Sequence, residues 1–227
     1  MCSSDLDVVV CVPHTPDPVL FGIRGESPAW VREARSYVRS EEPACEQVYA
    51  TNQGTDTHLV PGTAGMLREG RSYLVRGTVA GSPTTGPGGH VSLLLEDEGV
   101  EVRCMAYEPT KGFRDVIRAL VPGDVVVVAG SYKGESLNLE KLRVCRLAEA
   151  VRIRPPVCPT CEKRMTSAGT AKGYKCKACG ARTREPEVER LERQIRPGWY
   201  EVPPVARRHL ARPLVRGVPA WQQALCG

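Results

Sequence analysis

Two Cys-x-x-Cys knuckles, Cys158-Pro-Thr-Cys161 and Cys176-Lys-Ala-Cys179, stand fourteen residues apart, and no other feature of this chain constrains its fold so tightly. Each knuckle brings two thiolates to one ion, a soft tetrahedral sulfur set suits Zn²⁺, and four protein ligands leave no open position for water. A structural zinc ribbon is expected over 155–184, with Cys158, Cys161, Cys176 and Cys179 as ligands; four free thiols or two disulfides are the alternative. Lys163, Arg164, Lys172, Lys175 and Lys177 lie between or beside the ligands. A metal that pins a small scaffold covered in positive charge points to a nucleic-acid phosphate as partner.

Charge is divided unevenly along the 227 residues. Residues 1–150 hold 15 Lys and Arg against 20 Asp and Glu, net −5, whereas 151–227 hold 16 against 6, net +10. The basic third is the one with the cysteine quartet, which favours a polyanionic partner over a merely solvated face. No apolar run reaches the length of a membrane-spanning helix and the N-terminus has no signal-peptide core. A soluble, cytoplasmic protein with no membrane partner is expected. The other cysteines (Cys2, Cys11, Cys45, Cys104, Cys145, Cys226) are scattered without a framework, as in a reducing compartment.

Nineteen prolines and 22 glycines favour short β-rich modules, so the expected class is α+β to mostly β. Residues 7–60 read as strands at 8–12 and 19–23, a helix capped by Ser27-Pro28 with Trp30, Val31, Ala34, Tyr37 and Val38 on one face, and a strand from Gln47. That set does not close a core and resembles the C-terminal half of an α+β domain. Residues 61–150 carry a complete pattern. Tyr73, Val75 and Val79 alternate, then Val91, Leu93 and Leu95, then Val100, Val102, Cys104 and Ala106. Thr110 caps a helix bearing Phe113, Val116, Ile117 and Leu120, followed by a buried strand from Val125 to Ala129. A last strand has Leu137, Leu139, Leu142 and Val144, whose parity slip requires a β-bulge between Leu139 and Leu142. Three strands, a helix and two strands is the order of an OB-fold, a five-stranded barrel that commonly binds oligonucleotides. Residues 185–227 form a C-terminal extension with a short helix over Glu187 to Ile195, a break at Pro197-Gly198-Trp199-Tyr200 and a basic tail.

On the barrel, Arg103, Tyr107, Lys111, Lys133 and Lys141 are candidate RNA contacts, with Arg114 near them, and Lys163, Lys175 and Lys177 are candidates on the ribbon. Arg207, Arg208 and Arg212 in the tail join them, with a solvated tail as the bland alternative. One exposed-type aromatic, Tyr107, is thin for a single-strand binder and favours a folded RNA recognised by its backbone. Asn52, Gln53 and Asp56 crowd hydrogen-bonding groups onto one loop, suited to a ribose, a base edge or a neighbouring domain; a self-bonded Asx-turn is the alternative.

Longer strings carry a resemblance. At Val19-Leu20-Phe21-Gly22-Ile23-Arg24-Gly25-Glu26, Thr51-Asn52-Gln53-Gly54-Thr55-Asp56-Thr57-His58-Leu59, Gly88-Gly89-His90-Val91, Ala106-Tyr107-Glu108-Pro109-Thr110-Lys111, Leu137-Asn138-Leu139-Glu140-Lys141 and Val205-Ala206-Arg207-Arg208-His209-Leu210, the chain resembles the archaeal tRNA-isoleucine 2-agmatinylcytidine synthetases. The resemblance runs from about residue 7 to 214. It implies a ligase that uses ATP, with Mg²⁺, to join agmatine to the wobble cytidine of the minor isoleucine tRNA. It further implies that 7–60 is the C-terminal half of a ferredoxin-like domain, that the catalytic domain lies outside this stretch, and that the fragment alone is inactive, with no catalytic residue of its own. Residues 1–6 are expected to be a translated sequencing adaptor. Arg24 and Glu26, at a strand end before a helix, are implied contacts for a phosphate and for the guanidinium or amine of agmatine; a turn with a surface ion pair is the alternative. The competing functional class is a stand-alone OB-plus-ribbon adaptor without catalysis.

Overall fold

The computed structural model describes residues 22–169 and 171–226. Its elements are helix α1 (Pro28–Ser36), strands β1 (Leu59–Gly62), β2 (Ser72–Val79), β3 (Thr84–Thr85), β4 (Val91–Asp97) and β5 (Val100–Ala106), helix α2 (Phe113–Arg118), strands β6 (Val125–Lys133), β7 (Ser136–Arg146), β8 (Val151–Arg154), β9 (Thr166–Ser167), β10 (Tyr174–Lys175), β11 (Arg182–Thr183), β12 (Glu187–Arg190) and β13 (Gly198–Glu201), and helix α3 (Ala220–Gln223).

The expected barrel is present. Strands β2, β6, β7, β5 and β4 pair in that order, and β4 returns to β2 through Thr78↔Glu96 and Val79↔Leu95, so the ring has no open edge. The β5–β7 pair is parallel and the rest of the ring is antiparallel, as an OB-fold requires. Closure needs close backbone approach: a Cβ on Gly77 would lie 2.6 Å from the Glu96 carbonyl oxygen, and on Gly130 2.1 Å from that of Asn138. The alternating residues fill the interior, Val75, Val79, Val91, Leu93, Leu95, Val102, Cys104, Ala106, Leu137, Leu142 and Val144 among them, and α2 plugs it with Phe113 and Ile117. Each fully buried Leu or Val contributes about 1.5–3 kcal/mol. Val100 departs from the expected inward row, because it sits at the hairpin mouth and is exposed. Thr110 does not cap α2. Its hydroxyl is spent on the Tyr107 carbonyl (2.7 Å) within a 3-10 turn, and Gly112 is the N-cap.

The bulge falls where parity demanded it. Ala129 pairs with Lys141 and Gly130 with Leu139, leaving Glu140 as the extra residue. The run Val126-Val127-Val128-Ala129 is apolar throughout because both faces are covered. Val126 and Val128 point into the barrel, while Val127 and Ala129 join Leu59, Leu74, Trp199 and Leu225 in a second core on the outer face.

That outer core corrects the reading of the C-terminal extension. Gly198–Glu201 is no break but strand β13, antiparallel to β7. The chain then wraps the barrel, and a disulfide between Cys145 and Cys226 (Cα–Cα 5.5 Å) ties its end to β7, so these two cysteines are paired and not scattered thiols. The helix expected over Glu187 to Ile195 is also absent: Glu187–Arg190 is strand β12, paired with β8. Glu187, Glu189, Arg152 and Arg154 face one side; Glu189 pairs across the strands with Arg154 (2.9 Å) and Glu187 pairs with Arg164 (3.0 Å), contacts that a helix would lose.

In the first segment α1 forms as its cap foretold, with Ser27 Oγ accepting from the Trp30 amide (3.2 Å). It ends at Ser36, before Tyr37 and Val38, and none of its residues is buried. No strand forms at Gln47–Tyr49, where Val48 and Tyr49 are exposed. Residues 1–6, the strand expected at 8–12 and residues 19–21 of the next lie outside the described residues; Gly22 and Ile23 are not in a strand.

Candidate metal centre and nucleic-acid interface

The two knuckles are built alike. In the first, the Cys158 amide donates to the Lys163 carbonyl and the Glu162 amide to the Cys158 carbonyl; in the second, the Cys176 amide donates to Ala181 and the Gly180 amide to Cys176. The fifth residue of each knuckle has positive φ, 54° at Glu162 and 77° at Gly180. The four Sγ atoms lie within 4.8 Å of one another, with Cys158–Cys179 and Cys161–Cys176 each at 3.4 Å and Cys161–Cys179 at 3.7 Å. A Zn–S bond of about 2.3 Å places tetrahedral sulfurs about 3.8 Å apart, so the set fits Zn²⁺. Backbone amides of Thr160 and Cys161 point at Cys158 Sγ and lower its pKa to about 6, and those of Cys179 and Ala178 lower that of Cys176, whereas hydrogen bonds with the other sulfurs push Cys161 and Cys179 up. Cys104, sealed in the barrel, has its thiol pushed up to about 12 by burial and serves as a small apolar side chain.

Beside the metal set, β9, β10 and β11 form a small sheet with an unusual charge pattern. Lys175 stands directly opposite Arg182 across the β10–β11 pair, and like charges in that position repel. Lys172 and Lys177 share with them a shallow cleft of about 620 Å³, whose lining includes Thr166 and Ser167 and no acidic residue. Such a surface is relieved by an anion. Lys163, also exposed, lies on the first knuckle. Arg182 was missed by sequence reasoning, because only strand register reveals its position opposite Lys175.

The barrel candidates divide. Arg103 is exposed on β5, Lys133 is exposed at the end of β6, and Tyr107 and Lys111 flank the turn before α2. Tyr107 is 40% exposed and meets His90 edge-on at 5.2 Å. His90 Nδ1 accepts from the Glu108 amide (3.0 Å), and Arg114 donates to the Gly89 carbonyl (2.6 Å), so two separate sequence strings form one surface. Lys141 is corrected: it is 2% exposed, beneath the loop at 52–58 and the C-terminal wrap, and its Nζ is bound to Asp56 at 2.5 Å. A phosphate cannot reach it. Asp56 is corrected with it, since its carboxylate is fully buried and taken up by Lys141, the Arg212 amide (2.6 Å) and Gln222 (3.0 Å). The adjacent bulge residue Glu140 binds His58 at 2.7 Å. These residues fasten the 52–58 loop to the barrel.

In the same loop Asn52 remains exposed and Gln53 half-buried, while threonine hydroxyls make the internal turns, Thr55 Oγ1 to the Asn52 carbonyl (2.5 Å) among them. The tail arginines are not a free basic strip. Arg207 binds Glu201 (3.0 Å), Arg208 reaches Ser72 (3.2 Å), and Arg212 binds the carbonyls of Gly217 (2.9 Å) and Arg216 (2.6 Å). Of the three, only Arg208 is exposed. Arg24 is exposed, and Glu26 sits between Arg212 and Arg216, with Arg216 Nε at 2.7 Å. The hydrogen bond from Arg216 holds the Glu26 carboxyl below its ordinary range.

The fold and site define an OB-barrel protein that carries a four-cysteine zinc ribbon with a cationic face. Two family models match the chain, the TiaS FLD domain over residues 3–58 and the TiaS C-terminal zinc ribbon domain over 155–195. It is 51% identical over 213 residues to the isoleucine-tRNA 2-agmatinylcytidine synthetase TiaS of Methanosarcina mazei, covering 92% of this chain and 49% of that protein. It is 46% identical to the TiaS of Archaeoglobus fulgidus over 211 residues, again covering 92% of this chain and 50% of that one. A solved complex of TiaS with its isoleucine tRNA and ATP superposes with a TM-score of 0.79 at 44% identity, covering 94% of this chain and 51% of that one. A complex of TiaS with the same tRNA, AMPCPP and agmatine gives 0.76 at 43%, covering 94% and 50%. The chain belongs to the TiaS family and spans about half the length of the curated relatives it matches.

Proposed function

We propose that this chain is the tRNA-holding part of an ATP-dependent ligase that joins agmatine to the wobble cytidine of the minor isoleucine tRNA. The observation that carries the reading is the ribbon's cationic face, where Lys175 opposes Arg182 beside a four-cysteine centre, in a chain whose relatives are named for that reaction. Ribbon and barrel supply binding energy, and energy gained far from the reacting atoms positions the cytidine for attack by the agmatine amine. ATP, with Mg²⁺, activates the cytidine in the part of the relatives that this stretch does not match. Arg103, Tyr107, Lys111 and Lys133 on the barrel and Lys163, Lys175 and Lys177 on the ribbon contact RNA, with Arg182 and Arg208 beside them. Arg24, Glu26, Asn52 and Gln53 border the agmatine site. In the cell this work is cytoplasmic, and no helix among the described residues is long and apolar enough to cross a membrane.

The test is a product assay. The 227-residue polypeptide with ATP, Mg²⁺, agmatine and tRNA should yield no agmatidine, and adding in trans the unmatched half of a relative such as that of Methanosarcina mazei should restore it. Turnover by the polypeptide alone would refute this division of labour. Tight tRNA binding without turnover in any combination would favour the adaptor reading.

A further inference from the structure

The ribbon leaves the barrel after Ala148 and returns at Arg193, and among the described residues its support between those points is the two-stranded stalk of β8 and β12. Four residues a side make a short ladder, braced across by Arg154–Glu189 (2.9 Å) and tied to the first knuckle by Arg164–Glu187 (3.0 Å), so its course follows from where it starts. Its apolar side chains do not stiffen it by packing, since Val151, Ile153 and Val188 are all exposed. The direction of the ribbon is therefore set at the base.

There the side chains of Asp124 and Arg193 meet. Arg193 presents two parallel hydrogen bonds to the carboxylate, to Oδ1 at 2.8 Å and Oδ2 at 2.6 Å. The same guanidinium donates to the carbonyls of Ala148 (2.9 Å) and Ala119 (3.0 Å). Asp124 in turn accepts from the amides of Ala148 (2.8 Å) and Val121 (2.9 Å). One fully buried carboxylate and one guanidinium thus bind the outgoing chain after β7, the returning chain after β12 and the end of α2 into a single node. A planar fork fixes orientation as well as distance, which a point charge does not. Two residues on, Ile195 anchors the returning chain in the barrel core.

We propose that Asp124 and Arg193 form a latch that holds the zinc ribbon at a fixed angle to the barrel, making them positioning residues for the RNA surface that touch no RNA themselves. This rests on the tRNA-holding reading only for its consequence in binding; the latch itself is a property of the two modules.

The experiment compares parent, Arg193→Gln and Arg193→Lys polypeptides by ¹⁵N relaxation with zinc content measured in parallel. Parent ribbon and barrel amides should report one common rotational correlation time. In Arg193→Gln the ribbon amides should tumble faster than the barrel amides while zinc stays at one equivalent, with Arg193→Lys intermediate. Binding of tRNA by Arg193→Gln should fall about tenfold, the scale of coupling carried by residues outside a ligand site. In a zinc-less Cys158→Ser/Cys176→Ser background the same substitution should cause no further loss of binding, because the ribbon no longer has an orientation to keep. Unchanged relaxation in both Arg193 variants would overturn the latch, as would a binding loss of equal size in the zinc-less background, which would mark barrel damage. Should the parent fail to bind tRNA, the functional reading falls and the relaxation comparison still decides the latch.

Discussion

The barrel and the ribbon are stabilised by opposite means. The barrel surrounds a continuous core from Val75 to Val144, adds a second core under its C-terminal wrap, and closes its ring of strands. The ribbon buries Cys158, Met165 and Cys176, packs Tyr174 and Ala181 against them, and has strands of two residues. A module so small cannot offset its conformational entropy by apolar burial. The metal takes the place of a core, which leaves the ribbon's surface available for positive charge that a larger domain would distribute.

Removing the metal separates the two regions most sharply. Structural zinc contributes about 10–16 kcal/mol of apparent binding free energy in small modules, so chelation should unfold the ribbon and leave the barrel standing. Amide spectra should show 155–184 collapse to random-coil shifts with β2–β7 unmoved; loss of both regions together would break the contrast. The reciprocal experiment is Leu93→Ala. It removes a side chain that is 1% exposed at the barrel centre and should cost about 2–5 kcal/mol of barrel stability while zinc remains bound.

A smaller effect tests the joint between the regions. Burial works to raise the Asp124 pKa, but the hydrogen bonds from Arg193 and from the Val121 and Ala148 amides outweigh it, and the net shift is downward. A carboxyl depressed by folding contributes stability above its unfolded value, about 3.9, and that contribution is lost as pH falls through the folded value. Asp124→Asn should therefore lower barrel stability by about 1–3 kcal/mol at neutral pH. The deficit should shrink below about pH 4, in thermal melts that follow the barrel and not the acid-labile zinc site. A deficit constant over that window would show that the charge contributes nothing. The smallest effect is within the ribbon. Glu162 holds φ 54° at the position where the second knuckle has Gly180, and Glu162→Gly should stabilise the ribbon by about 0.5–1 kcal/mol, read as slower zinc release to a chelator. Faster release would mean the left-handed turn is not strained.

The same contrast explains what the sequence disclosed. Alternation along β4 and β5, the parity slip at Glu140 and the cysteine spacing are local signals, and each has its counterpart in the structure. The C-terminal wrap is held by pairing of Gly198–Glu201 with a strand more than fifty residues earlier, and four residues carry no period to announce it. Glu187–Arg190 matched a helical spacing, yet its alternation of Glu, Val, Glu and Arg complements Val151–Arg154, a signal visible only when the two segments are set side by side. Lys141 and Asp56 read as surface residues because charged residues usually are; nothing local marks a lysine that a distant aspartate neutralises. The cleft at the ribbon was half legible: Lys175 and Lys177 stood out as basic, whereas Arg182 gained its place from register alone.

If charge on the ribbon face holds tRNA, as proposed above, binding must depend steeply on salt. Neutralising roughly four to six phosphates predicts a slope of log K against log salt of about −3 to −5 for the 227-residue polypeptide. The double reversal Lys175→Glu/Arg182→Glu should weaken binding and flatten that slope by about two, with zinc content unchanged. A slope near zero, or one that the double reversal leaves intact while Arg103→Glu alters it, would contradict the account and move the RNA surface from the ribbon to the barrel.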